Sequence, residues 1–209
     1  YAFDQLIEDL REFIVALRLE KPIIVGHSQG GVTALYFAAK YPSIPSAIIS
    51  ADAPGERNLV TGRAMYLLLK GSTAMTSFLD DETALSIQIP FNAYFFFSSQ
   101  FKESYPQKAE RWKRQFVTNS SVSLVNAMRA LAYRSHLKTV TSGIPTLLVL
   151  GSEDKFIDLE QTQAYRNFFK GSKIELLPGA GHMSTEEQPE RFNRIAEEFI
   201  SQDLLGQSM

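Results

Sequence analysis

The chain has 209 residues, enough for one domain with a real core. Its formal net charge of −2 supplies no global field for nucleic acid or an anionic membrane, and the absence of cysteine excludes disulfides, thiolate metal sites and cysteine nucleophiles. No apolar run reaches the roughly 18 residues a membrane span needs, and Asp4, Glu8, Asp9 and Arg11 interrupt any secretory signal, so a soluble protein, cytoplasmic by default, is expected.

In chain order, residues 4–18 put Leu6, Ile7, Leu10, Phe13, Ile14 and Leu17 on one face at helical spacing, with Asp4 as the expected N-cap. Pro22-Ile23-Ile24-Val25 is a short β-branched run of the kind that forms a strand buried on both faces. Gly26-His27-Ser28-Gln29-Gly30-Gly31 follows at once, then a helix over Val32–Lys40 and a second buried strand over Ala47–Ser50.

The region 55–142 changes character. It predicts short helices without strands, at Arg63–Lys70, Pro106–Val117 and Val122–Tyr133. The aromatic run Phe91–Phe97 lies among them, suited either to packing within that block or to lining an acyl or aryl pocket. Glu103 and Glu110 are interleaved with Lys102, Lys108, Arg111, Lys113 and Arg114, which describes a solvated face rather than an anion site, and Trp112 reads as a packing residue. The α/β rhythm then resumes with a strand at Pro145–Leu150, a helix at Leu159–Phe169, a strand at Lys173–Leu177 and a final helix opening at Gln188-Pro189-Glu190. Such alternation builds a parallel sheet flanked by helices, whose ligands bind at the C-terminal edge of the strands.

The chemistry gathers at that edge. Gly26-His27-Ser28-Gln29-Gly30 is a G-x-S-x-G sequence between a buried strand and a helix, the context in which the motif forms a nucleophile elbow. The turn is tight enough to require small residues two positions either side of Ser28, at Gly26 and Gly30, and it lifts the hydroxyl above the sheet. The main-chain N–H of Gln29 becomes an oxyanion donor at the positive end of the new helix.

A serine hydroxyl needs a base. Of three histidines, His182 sits in the loop Pro178-Gly179-Ala180-Gly181-His182 directly after a strand, on the same edge as Ser28. His27 is expected to point away from the site, and His136 lies at the end of the helical block. The base needs an orienting carboxylate. Asp154, after the Pro145–Leu150 strand, is the first candidate; Asp52, at the end of the Ala47–Ser50 strand, competes with it, and Asp158 lies further along the loop.

The stretches 23–31, 145–154 and 176–183 resemble the α/β-hydrolase superfamily, in particular its esterase, lactonase and peroxidase-like members with a helical cap. The resemblance covers 4–54 and 143–201 and is vague between them. It implies an α/β-hydrolase fold, with a core formed by 1–54 and 143–209 and a helical cap at 55–142. It implies Ser28 as nucleophile, Asp154 as acid and His182 as base, acting on a small carboxylic ester, thioester or lactone. No metal or organic cofactor is implied, and the expected partner is a small ester-like substrate.

Hydrolysis of a C–C bond, peracid formation and a receptor-like binding role share the same constellation. A serine at position 28 argues against the dehalogenase and epoxide hydrolase branches, which carry aspartate there. Members of the superfamily place further strands, and a loop with a second oxyanion donor, ahead of the nucleophile strand. An N-terminally truncated chain, with an exposed edge at its first strand and little activity, is therefore expected.

Overall fold

A computed structural model describes residues 2–55, 59–76, 78–79, 83, 96–117, 121–138 and 143–205. Helix α1 spans Phe3–Ala16 and buries Phe3, Ile7 and Ile14, with Leu6 and Leu10 packed partly behind them. Phe13 and Leu17 are more than half exposed, so the buried stripe is rotated toward Phe3 relative to the expected one. Ala2 takes the N-cap position, and Asp4 lies inside the first turn, where its charge faces the positive end of the helix. Glu8 on this helix binds Lys40 Nζ at 2.6 Å and Tyr41 Oη at 2.7 Å, which ties α1 to the end of the next helix.

Strand β1 (Ile23–His27) leads into α2 (Gln29–Lys40), and β2 (Ala47–Ala51) follows. The helices α3 (Leu59–Thr76), α4 (Ser99–Ser104), α5 (Pro106–Val117) and α6 (Ser121–Ala132) come next. Then come β3 (Thr146–Gly151), α7 (Leu159–Ala164), β4 (Lys173–Leu177), α8 (Ser184–Glu187) and α9 (Pro189–Phe199). Helix α7 is shorter than the 159–169 span expected, because Tyr165–Asn167 tightens into a 3₁₀ turn. The expected aromatic run is described only at Phe96 and Phe97; 91–95 lie outside the described residues. No helix among the described residues is long and apolar enough to cross a membrane.

The four strands are parallel, in the order β1-β2-β3-β4. Strands β2 and β3 are buried at every residue, as parallel strands covered on both faces must be. Their alternate residues divide between two cores. Ile48 and Leu148 face one side with Val32, Leu35 and Phe37 of α2 and with Tyr165 and Phe169. Ala47, Ile49, Leu147 and Val149 face the other with Phe192 and Phe199 of α9. β1 departs from the expected full burial, since Val25 is 56% exposed. Among the described strands β1 borders the sheet on one side, with Ile24 packed against one core and Ile23 against the other.

This sheet ends all four strands on one edge, and the ladder continues past them. Ser28 N–H donates to Ala51 O at 2.8 Å, Asp52 N–H to Val149 O at 2.9 Å and Ser152 N–H to Leu177 O at 3.0 Å. The first residues beyond β1, β2 and β3 are therefore held almost as firmly as strand residues.

Candidate active site

Ser28 sits between β1 and α2 with φ 51° and ψ −117°, a backbone conformation that costs about 1–3 kcal/mol for a non-glycine residue. The surroundings enforce it. A Cβ on Gly26 would collide with the carbonyl of Gly30, and one on Gly31 would lie 2.7 Å from Ser50 Oγ. Gly30 differs from expectation. A Cβ there meets nothing within 4 Å among the described residues, so the close packing of the elbow rests on Gly26 and Gly31. The carbonyl of Ser28 accepts from Val32 N–H at 3.1 Å to start α2, and the N–H of Gln29 heads that helix.

The loop after β4 brings His182 to this serine. Its Nε2 is 3.0 Å from Ser28 Oγ, and its Nδ1 is 2.7 Å from Asp154 Oδ2. The other oxygen of Asp154 accepts the main-chain N–H groups of Phe156 at 2.7 Å and Ile157 at 3.1 Å, so the carboxylate cannot rotate away from the ring. The side chains of His182 and Asp154 are 4% and 0% exposed, which strengthens both contacts by excluding water. Because the carboxylate only accepts, Nδ1 carries the proton and Nε2 is left as the acceptor for the hydroxyl. Of the candidate carboxylates, Asp154 contacts the His182 ring; Asp158 instead caps α7 by accepting from Gln161 N–H at 2.8 Å.

Asp52 reaches the same edge with a different set of partners. It is completely buried, with φ 49°. One oxygen accepts from Gly151 N–H at 2.9 Å, and the other takes the hydroxyl and N–H of Ser184. It thus joins the end of β3, from which Asp154 departs, to the first residue of α8, just past His182. Although expected to point away from the site, His27 turns its ring toward the loop of His182. Its Nε2 is 2.7 Å from the carbonyl of His182 and 3.4 Å from Asp52 Oδ2, and its ring centroid is 5.4 Å from that of His182. Burial disfavours a charge on His27, but the hydrogen bond and charge of Asp52 and the bond to the His182 carbonyl outweigh it and raise the imidazole above its ordinary value.

Glu187 on α8 is a third buried carboxylate beside Asp52 and Asp154. It accepts from Gly181 N–H at 3.0 Å and from Ser98 N–H at 3.2 Å, clamping the histidine loop to the chain entering α4. Burial pushes its carboxyl above the usual glutamate value, and the nearby charge of Asp52 adds to this. Met183 N–H completes the seam by donating to Phe96 O at 3.1 Å. Close approach also needs Gly181, where a Cβ would lie 2.7 Å from Ser98 N.

Aromatic rings wall His182. Phe156 meets the His182 ring edge-on at 5.0 Å, and Phe96 lies 5.5 Å from it and 5.2 Å from Trp112. The helical block touches the elbow directly through Gln29 Nε2, which donates to Ala127 O of α6 at 3.0 Å. Arg134, buried just beyond α6, donates to the carbonyls of Leu131, Pro54 and Gly55 and so pins the two ends of the block together. His136, the remaining histidine, is exposed.

The comparisons agree with this architecture. A family model described as the alpha/beta hydrolase fold matches residues 1–189. Epoxide hydrolase 1 of Caenorhabditis elegans is 25% identical over 96% of this chain and 53% of its own length. 3-Oxoadipate enol-lactonase 2 of Acinetobacter baylyi is 26% identical over 94% of this chain and 70% of its own length. The chain therefore spans about half the length of the first of these relatives. Among solved structures, the enol-lactonase from Burkholderia xenovorans superposes with a TM-score of 0.77 at 16% identity, over 96% of this chain and 74% of that one. A thermophilic esterase from Thermogutta terrifontis superposes with a TM-score of 0.75 at 20% identity, over 96% of this chain and 72% of that one. With the parallel sheet, the strained serine turn and a family model spanning most of its length, the chain belongs to the α/β-hydrolase fold family.

Proposed function

We propose that this chain carries the active site of a serine hydrolase that cleaves a small carboxylic ester, thioester or lactone through an acyl-enzyme. The observation that carries the reading is the continuous relay from Ser28 Oγ through His182 to Asp154, at 3.0 and 2.7 Å. His182 Nε2 takes the hydroxyl proton as Oγ attacks the substrate carbonyl, and Asp154 steadies the imidazolium that forms. The N–H of Gln29 donates to the tetrahedral oxyanion, aided by the dipole of α2. His182 returns the proton to the leaving group, and water then releases the acyl group by the same steps in reverse. In this reading 1–54 and 143–209 form the catalytic core, and 55–142 form a cap whose aromatic residues near His182 favour an apolar acyl or aryl group.

The similarity to an epoxide hydrolase does not extend to its chemistry. An alkoxide that opened an epoxide would leave an ether on Ser28, which water cannot cleave. A carbonyl substrate leaves an ester, which water can cleave. The test is a fluorophosphonate probe together with a series of nitrophenyl esters of increasing acyl length. Labelling and turnover should both vanish in Ser28→Ala. A folded wild-type chain that resists the probe, or a Ser28→Ala variant that is still labelled, overturns the reading.

A further inference from the structure

Beneath the relay lies a second set of contacts that the proposed reaction leaves unused. His27 precedes the nucleophile, and its Nε2 is 2.7 Å from the carbonyl of His182. A carbonyl only accepts, so this nitrogen carries the proton. The same nitrogen is 3.4 Å from Asp52 Oδ2, and Asp52, fully buried, also holds Gly151 on the acid's side and Ser184 on the base's side. One carboxylate and one imidazole therefore meet all three loops of the site: the elbow, the loop of Asp154 and the loop of His182.

We propose that His27 is a positioning residue for His182: its Nε2–H, backed by Asp52, fixes the main chain of the base relative to the elbow. This rests on the reading of His182 as general base. The titratable groups facing His27 are Asp52 at the end of β2, Asp154 in the loop after β3 and His182 in the loop after β4. Burial disfavours a charge on His27, while Asp52, the carbonyl of His182 and the more distant Asp154 favour it and raise the imidazole above its ordinary value.

Substitution tests the contact itself. His27→Gln keeps an N–H donor near the position of Nε2, and His27→Leu removes it. Orientation should fail only in His27→Leu, where the rate of fluorophosphonate labelling should fall about ten- to hundredfold. His27→Gln should label within a few-fold of wild type at the same pH.

The experiment compares labelling rates of the whole chain and its two variants at one pH, beside an imidazole ¹H–¹⁵N spectrum of its three histidines. The Nδ1–H resonance of His182 on Asp154 should be kept in His27→Gln and shift or broaden in His27→Leu. The expected result is labelling rescued by glutamine and not by leucine. A glutamine variant as slow as the leucine variant, or a leucine variant with wild-type labelling and an unmoved His182 resonance, overturns the positioning role. A wild-type chain that resists the probe while the His182 resonance moves only in His27→Leu places the failure in the reaction and upholds the positioning.

Discussion

The strand edge and the helical block between β2 and β3 hold their residues in different ways. At the edge, main-chain groups are fixed by a ladder that continues past the strands, and buried carboxylates bridge one loop to the next. Among the described residues, the helical block meets that edge through hydrogen bonds of Gln29 with Ala127, Glu187 with Ser98 and Met183 with Phe96, and through the ring of Phe96 against those of His182 and Phe156. In the proposed reading the reacting groups are thus held by the sheet and its extended ladder, while the block joins them through side-chain and ring contacts made across long sequence separations.

The largest effects should come from the sheet side. Ser28→Ala should abolish probe labelling and lower ester turnover by about 10⁴-fold or more. Asp154→Asn should come next, with a loss of about 10⁴-fold, because the wrong tautomer of His182 is then favoured. Asp52→Asn should cost at most about a hundredfold in turnover. It should instead lower the unfolding midpoint, since a buried N–H or O–H of Ser184 loses its acceptor at about 1–3 kcal/mol. If Asp52→Asn proves the more damaging of the two to turnover, Asp154 is not the orienting acid.

Glu187 tests the seam between the two regions. Its native carboxyl titrates above the usual glutamate value, so its ionised form is the disfavoured one in the fold. The associated stability is present below the unfolded glutamate value and is lost as pH rises through the higher native one. Thermal unfolding of wild type should show this loss above about pH 4.5, and Glu187→Gln should flatten the profile over the same window. A parallel pair of profiles would mean that Glu187 is not penalised by burial. The smallest effect belongs to Gln29→Ala. Its main-chain N–H is untouched, so labelling rates should hold, while loss of the bond to Ala127 should weaken ester binding or stability by about 0.5–1.5 kcal/mol.

The elbow could be recognised from sequence because strain has a local signature: a serine at positive φ between a strand and a helix needs Gly26, and that requirement is written within two residues. Asp154 and His182 could be proposed because each follows a strand directly. The supporting groups had no such signature. Asp52 meets Ser184 across 132 positions, His27 meets the carbonyl of His182 across 155, and Glu187 meets Ser98 across 89. Nothing near His27 in the chain distinguishes a ring turned outward from one turned under the base. The choice is made by a carbonyl that folding delivers from the far end of the molecule. The rotation of α1 is similar: its apolar residues exceed one face, and packing against α2 selects Phe3 over Phe13.

The open space beside Gly30 has a practical side. Position 30 is exposed, lies within α2 two residues after the nucleophile, and would receive a side chain without collision among the described residues. Since the chain has no cysteine, Gly30→Cys would create a single thiol at the rim of the site. In the proposed reading, a fluorophore or spin label attached there would report acylation of Ser28 from a position whose side chain meets no described neighbour.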